Sequence, residues 1–392
     1  MRILFITPRL PYPPVKGDRV RPYNFIKELS RKHAIDLCTF YEYDKELGAI
    51  NEMRKYCKKI EAVFLPRWRS YINLLRSAVN LKPFQVNYYY SPDMANKINE
   101  MVTDIPYDII QVVLQRMMEH VRYSYADKIV LDQIDALSLN MQRRARAENN
   151  PILKTLFYLE YANMKRYERA PKKYAACVIT SEIDKQALGD DSIYVIPNGV
   201  DIDYFSPAQD EKDIDLIFTG NMGYFPNVDS MLYLCNKILP KILCRCPSIK
   251  LYIVGINPTS KVNKLADNKH IFVTGFVDDV RKYLNRAKVF VAPLRSGSGI
   301  QNKILEAMAC GLPVVTTSYG NAAIKANVDQ HLAVADDPSQ FAEKVITILN
   351  SSPLRRMLGI NARAYMEREF TWSRRSQRLE EVYNYMQDNR MH

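Results

Sequence analysis

The run Val291-Ala-Pro-Leu-Arg-Ser-Gly-Ser-Gly-Ile-Gln-Asn-Lys-Ile-Leu-Glu-Ala-Met-Ala-Cys-Gly-Leu-Pro-Val-Val315 decides how this chain is read. A strand-like stretch ends at Pro293, a loop holding Gly297 and Gly299 follows, and a helix is predicted from Gln301. Gly311 supplies a left-handed stop and Pro313 bars continuation. The two glycines let the backbone approach an anion closely, and the helix start turns N–H groups and a positive dipole end toward it. Lys303 and Glu306 lie on one face of that helix. The cation suits a diphosphate, and the carboxylate one turn further in suits the two hydroxyls of a ribose. Arg295 adds a second cation at the loop mouth. The plain alternative is a glycine-rich connector before an amphipathic surface helix. A lone Gly-x-Gly would favour it; Arg, Lys and Glu at these offsets do not.

Outward from this segment, strand-like and helix-like patterns alternate, which implies parallel sheets with helices on their faces. Strands are predicted at Arg2–Thr7, Ile35–Phe40, Tyr107–Leu114, Lys128–Asp132, Ala175–Thr180 and Ile193–Ile196. A second series runs through Ile214–Thr219, a helix around Val228–Leu243, Lys250–Val254, Ile271–Thr274, Val289–Ala292 and Val314–Thr317. Between the two series lies Pro197-Asn-Gly-Val-Asp-Ile-Asp-Tyr-Phe-Ser-Pro207, rich in turn residues. The expected architecture is α/β: two doubly wound, Rossmann-like domains facing a cleft, residues 1–205 and 206–370. A final helix, 371–392, is expected to pack back on the first domain. Ligands of such sheets bind beyond the carboxyl ends of the strands.

Composition narrows the class. The chain has 392 residues, 47% hydrophobic and 25% charged, with a net charge of +12. That is enough for two cores. No run approaches the roughly 20 apolar residues of a membrane span, and Met1–Arg9 has too short an apolar stretch for a signal peptide. Seven scattered cysteines without a Cys-x-x-Cys pair suggest reduced, cytosolic thiols. The basic excess suits an acidic substrate, an anionic membrane or nucleic acid. Much of it falls between Met141 and Ala175, where aromatics interleave with Arg and Lys; a solvated helical face explains it equally well.

Several segments together resemble the family-4 glycosyltransferases of the GT-B fold: Pro11–Arg21, Ser181-Glu182, Ile196-Pro-Asn-Gly-Val-Asp201, Phe218–Asp229, Val273–Asp279 and Leu305-Glu-Ala-Met-Ala-Cys-Gly-Leu-Pro-Val-Val315. The variant Ala-Pro-Leu-Arg…Gly-Ile-Gln-Asn-Lys is similar to the sugar transferases of bacterial exopolysaccharide clusters. The resemblance implies a hexosyltransferase acting on a nucleotide diphosphate sugar, retaining and metal-independent, without a cofactor. Its acceptor would be a glycan or a lipid-linked sugar in polysaccharide biosynthesis, with no nucleic acid involved. The implied donor-site residues are Gly17, Arg19, Phe276, Val277, Arg295, Gly297, Ser298, Gly299, Ile300, Lys303 and Glu306. The family's first glutamate is replaced here by Ser298. Its basic pair after the first strand of the second domain is replaced by the uncharged run Gly220–Asn227, so Arg295 and Lys303 are expected to supply that charge.

In the first domain, Pro13-Pro-Val-Lys-Gly-Asp-Arg19 offers Gly17 as a close backbone approach with Lys16 or Arg19 beside it, or else a turn capped by Asp18. Phe276 is either a base contact or ordinary core. Where relatives carry a histidine, Ile129-Val-Leu-Asp-Gln-Ile-Asp135 ends in two carboxylates. Asp132 and Asp135 are the catalytic candidates, Asp132 for chemistry and Asp135 also as a helix cap. His120 is expected to be structural. Asp201-Ile-Asp203 and Asp213-Ile-Asp215 have a metal-site spacing but lie in the hinge region, and no metal site is expected. Arg67–Val79 carries Trp68, Tyr71, Ile72, Leu75 and Val79 at helical spacing, flanked by Arg67, Arg69 and Arg76. That pattern reads as an interfacial helix on an anionic membrane, or as a core helix with snorkelling arginines. The expected location is cytoplasmic, peripheral at the inner face of the membrane. A nucleotide-sugar epimerase or an inactive nucleotide-sugar binder on the same fold are the alternatives; turnover without an acceptor, or binding without turnover, would identify them.

Overall fold

The computed structural model describes residues 1–14, 17–148, 150–169, 174, 176–297 and 299–389. They form two compact units: Met1–Pro197 together with Trp372–His392, and Asn198–Thr371. The break at 197/198 precedes the expected 205/206 for a physical reason. The Val200 N–H donates to the Phe370 carbonyl at 2.7 Å, and Arg363 Nη1 donates to the carbonyls of Ile202 and Phe205 at 2.9 and 2.7 Å. The turn-rich stretch is thereby tied to the second unit.

The first unit holds a parallel sheet of β1 (Arg2–Thr7), β2 (Ala34–Tyr41), β3 (Lys59–Phe64), β4 (Ile109–Val113), β5 (Ile129–Ile134), β6 (Ala176–Ile179) and β7 (Tyr194–Val195), in the order β3-β2-β1-β4-β5-β6-β7. The second holds β8 (Ile214–Thr219), β9 (Leu251–Val254), β10 (Ile271–Gly275), β11 (Ala287–Ala292), β12 (Val314–Thr316) and β13 (Ala333–Val334), in the order β10-β9-β8-β11-β12-β13. Each sheet therefore reverses its winding once, between β1 and β4 and between β8 and β11, and such switch points are where doubly wound sheets take ligands.

Strand periodicity explains the layering of the first unit. Ile3 and Phe5 of β1 join one buried cluster with Phe25, Ile26 and Leu29 of the helix Gly17–Leu29. Leu4 and Ile6, pointing the other way, join a second cluster with Met94, Ile98 and Met101 of the helix Pro92–Asp104. The C-terminal helix Trp372–Asp388 belongs to the first of these layers: Trp372 meets Phe25 edge-on at 5.6 Å, and the Tyr383 hydroxyl donates to Gln111 Oε1 at 2.8 Å. In the second unit the helix expected over 228–243 is broken by a wide turn at Leu234–Ile238. Pro240 lacks the N–H that regular pairing would need there.

One buried pair ties this first unit together and corrects an expectation. Arg21 is fully buried; its Nε donates to Asp132 Oδ2 at 2.7 Å and its Nη1 to the Ile196 carbonyl at 2.8 Å. The other Asp132 oxygen accepts the Ile134 N–H at 3.2 Å. The Arg21–Asp132 pair thus joins the helix Gly17–Leu29, the end of β5 and, through Arg21, the segment after β7, and the Asp132 carboxylate is not open to an acceptor hydroxyl. Removing one partner leaves the other charge buried and uncompensated. Asp132→Ala should therefore lower the stability of the first unit by about 3–5 kcal/mol in a denaturant titration, with ligand binding by the second unit retained; unchanged stability would contradict this role.

Candidate functional site

The strand ends of the second unit crowd at the switch point. The Gly220 N–H donates to the Val254 carbonyl at 3.0 Å, and the Met222 N–H to the Ile256 carbonyl at 2.8 Å, so the loops after β8 and β9 stay paired beyond the sheet. Gly255, at φ +149°, lies so close to Gly220 that an added Cβ would stand 1.7 Å from the Gly220 oxygen. Only glycine fits. On the other side of Gly220, a Cβ would meet the Asn227 amide nitrogen at 2.8 Å and Lys303 Cε at 3.4 Å. Among the described residues, three buried polar atoms in this neighbourhood have no hydrogen-bond partner: Thr219 Oγ1, Asn227 Oδ1 and Ser296 Oγ. An unpaired buried polar group costs about 1–3 kcal/mol, and such groups point to a water or a ligand that completes them.

The helix predicted from Gln301 runs Asn302–Ala309, with Gln301 at its N-cap, whose own side chain makes no capping bond. Lys303 and Glu306 are partly buried on one face. Lys303 Nζ donates to Gln301 Oε1 at 3.0 Å and lies 5.6 Å from the Phe218 ring centroid. No protein donor reaches the Glu306 carboxylate among the described residues. Burial lowers the Lys303 amine to about 8, against the pull of Glu306, and pushes the Glu306 carboxyl up to about 7, against the pull of Lys303. Gly297 (φ +135°) and Gly299 (φ +63°) shape the loop in front of the helix, the Tyr319 hydroxyl donates to the Gly297 carbonyl, and Ile300 is buried. Ser298 lies outside the described residues, as does Lys16.

Arg295 departs from its expected role as a second open cation. It forks onto Asp229, Nη2 to Oδ1 at 2.5 Å and Nε to Oδ2 at 3.1 Å, and stacks 4.2 Å over the Tyr233 ring. A diphosphate would have to compete with that carboxylate. Phe276 is not core: it is 70% exposed just past β10, whereas Val277 beside it is partly buried against the core. In the metal-like spacings, Asp201 turns its chain through the N–H groups of Asp203 and Tyr204. Asp213 pairs with Arg286, and Asp215 with Lys288 at 2.7 Å.

In the first unit, Gly17 opens its helix, and a Cβ there would meet nothing within 4 Å, so the fold itself does not demand glycine. Arg19 is bound to Glu46 at 3.0 Å, a correction to its reading as a phosphate cation. Asp135 is not the helix cap either. The helix Leu137–Ala147 is capped from elsewhere: Asp184 Oδ1 accepts the Ala136 N–H and Glu168 Oε1 the Ser138 N–H, both at 3.2 Å. Asp135 sits partly exposed just past Ile134, whose φ of +62° is uncommon for a β-branched residue, and Thr180 Oγ1 lies 3.5 Å from Asp135 Oδ1. His120 is structural. Its Nε2 accepts the Ser91 N–H at 3.1 Å, its Nδ1 faces the Met117 carbonyl at 3.1 Å, and burial lowers it to about 4.

The Arg67–Val79 segment does not pack into a core. Its helix covers Arg67–Leu75, and Trp68, Leu75 and Val79 are 65%, 74% and 87% exposed. Tyr71 meets Tyr88 edge-on at 6.1 Å, and the helix Phe84–Tyr88 is held in turn by Glu160, which accepts the Phe84 and Gln85 N–H groups at 2.8 and 3.2 Å. Glu160 lies on the helix Pro151–Glu168, whose Ile152, Leu153, Leu156 and Leu159 are also exposed. The helices Arg67–Leu75 and Pro151–Glu168 are thus linked through Phe84–Tyr88, and each leaves apolar side chains exposed. No helix among the described residues is long and apolar enough to cross a membrane.

Residues 213–351 match the family model described as glycosyl transferases group 1. A protein from Klebsiella pneumoniae described as an uncharacterized 44.6 kDa protein in the cps region is 22% identical, over 94% of this chain and 96% of its own length. The GDP-mannose-dependent monoacylated alpha-(1-6)-phosphatidylinositol monomannoside mannosyltransferase of Corynebacterium glutamicum is 27% identical over 48% of this chain and 55% of its own length. The structure of Anabaena HepE in complex with UDP and glucose superposes with a TM-score of 0.66 at 14% identity, covering 98% of this chain and all of that one (100%). The fold is GT-B.

The crowded glycine is the site's structural test. Gly255→Ala should lower the stability of the second unit by about 2–6 kcal/mol, the sum of overpacking and an unfavourable φ. Thermal unfolding measures it; an unchanged midpoint would mean that the strand ends can separate freely.

Proposed function

We propose that this chain, which carries a glycosyl transferases group 1 domain on a GT-B fold, transfers a hexosyl group from a nucleoside diphosphate sugar to a glycan or lipid-linked acceptor in polysaccharide biosynthesis. The observation that carries the reading is the Lys303–Glu306 pair, two ionisable groups desolvated on the first turns of a helix whose N-cap side chain, Gln301, makes no capping bond. Breaking the bond between the sugar C1 and the diphosphate oxygen leaves charge on the diphosphate. A protonated Lys303 and the helix start stabilise that charge without rearrangement. Glu306 accepts from the ribose hydroxyls, Phe276 and Val277 flank the base, and Gly297, Ser298, Gly299 and Ile300 wrap the diphosphate and sugar. No metal ion is required, because Lys303 provides the positive charge. Retention at C1 follows the resemblance to family 4. Asp135, partly exposed past β5, is the acceptor-side carboxylate, and Gly17 leaves room for a ligand.

The pair gives the site a pH signature. Lys303 must be protonated to hold phosphate, so affinity falls as pH rises through about 8; Glu306 must be ionised to accept, so affinity falls as pH drops through about 7. Calorimetric titration with nucleoside diphosphate should find the tightest binding between these values, weakening by up to about tenfold per pH unit on either side. The bare nucleoside should follow only the acid limb, and Glu306→Gln should abolish that limb while weakening binding about tenfold or more. A flat profile would overturn these roles.

We further propose that the protein works on the cytoplasmic face of a membrane. The exposed Trp68, Tyr71, Ile72 and Leu75 would enter the interface, with Arg67, Arg69 and Arg76 beside anionic headgroups. Co-sedimentation should detect binding to anionic vesicles that falls with salt and with a Trp68→Ser, Leu75→Ser double change. Absence of binding to anionic and neutral vesicles alike would remove this part of the proposal.

A further inference from the structure

Two arginines outside the donor site converge at the other switch point. Arg9 follows β1 by two residues and Arg116 follows β4 by three, and these strands flank the winding reversal of the first sheet. Arg9 Nη1 lies 3.4 Å and Arg116 Nη2 3.8 Å from the same oxygen of Asp18. Neither is a tight fork, and all three side chains keep some contact with solvent. The Arg116 guanidinium lies 4.4 Å over the Tyr89 ring, and its Nε is buried without a hydrogen-bond partner. Arg116 is also held at a cost. Leu114, two residues earlier, has φ +70° and ψ 135°, a conformation that non-glycine residues rarely adopt and that turns the chain from β4 into the short turn Gln115–His120. Backbone strain of this kind concentrates at ligand clamps and active sites.

Charge decides what the cluster would take. Two guanidinium groups around one carboxylate leave a surplus of one positive charge, and Glu42, another acidic neighbour of Arg9, is itself 3.9 Å from Arg67. A singly charged oxyanion balances that surplus, and planar guanidinium donors suit a phosphate or carboxylate better than a neutral hydroxyl. We infer that Arg9 and Arg116 form an anion subsite for the acceptor, so that the acceptor carries a phosphodiester or carboxylate group as well as the hydroxyl that receives the sugar. This rests on the glycosyltransferase reading for the word acceptor, but the anion site itself does not depend on the donor site.

The test is ligand-observed NMR on the full chain with diethyl phosphate and glucuronate, and glucose as the neutral control. At least one anion should bind and glucose should not, and the better anion identifies the acceptor's group. The Arg9→Gln, Arg116→Gln double change should weaken anion binding at least tenfold, while Lys303→Ala should leave it unchanged. Arg116→Lys keeps the charge without the planar fork and should fall between; matching thermal melts show that the variants fold. Nucleoside diphosphate binding, unchanged in the double variant, reads the donor site separately. Anion binding that survives the double change, disappears with Lys303→Ala, or is absent from the unaltered protein would overturn the inference. Loss of nucleoside diphosphate binding alone would count against the donor reading and leave the anion site standing.

Discussion

Lys303 and Glu306 sit where neither charge is well solvated, and much of the second unit is arranged around that constraint. Burial drives both toward their neutral forms, and their mutual attraction opposes it. A hydrophobic pair would be easier to fold at these positions. Two charged groups there make physical sense when a ligand brings the missing partners, an anion for the amine and donors for the carboxylate. The buried Thr219, Asn227 and Ser296 oxygens without partners point the same way.

The backbone makes that arrangement possible. Parallel strands deliver all their carboxyl ends to one edge, and the winding reversal between β8 and β11 separates the crossovers there. Gly220 and Gly255 let the neighbouring β8 and β9 loops approach within a distance that excludes any side chain. Lys303 and Asn227 then close on Gly220. The first unit repeats the geometry with different chemistry: its reversal, between β1 and β4, gathers Arg9, Arg116 and Asp18 rather than a lysine and a glutamate.

Buried parallel strands were the most legible part of the sequence. Arg2–Thr7 and Ile214–Thr219 read without error because a short, continuous apolar run bounded by turn residues fits a strand covered on both faces. The edge strand β3, Lys-Ile-Glu-Ala-Val-Phe, went unread: its charges mask a half-buried pattern. The candidate loop and helix were legible because Gly297, Lys303 and Glu306 are close in sequence. Pairing across long separations was not. Asp132 looked available because its partner Arg21 is 111 positions away, and Arg295 looked open because Asp229 is 66 away. Asp135 looked like a cap because nothing local reveals that Asp184 does that job. Arg9 and Arg116 carried no local signal at all; only the sheet order brings them together.

Binding of a nucleoside diphosphate by the loop and helix from Leu294 to Glu306 is what the donor-side assignments depend on, and hydrogen–deuterium exchange of the full chain with and without UDP or GDP tests it most directly. Protection should rise across 294–306 and around Phe276 and Val277, because bound phosphate would occupy the first-turn N–H groups and a bound base would shield the exposed ring. Saturating nucleoside diphosphate that leaves exchange across 294–306 unchanged, or protects only a different region, would contradict nucleotide binding at this loop.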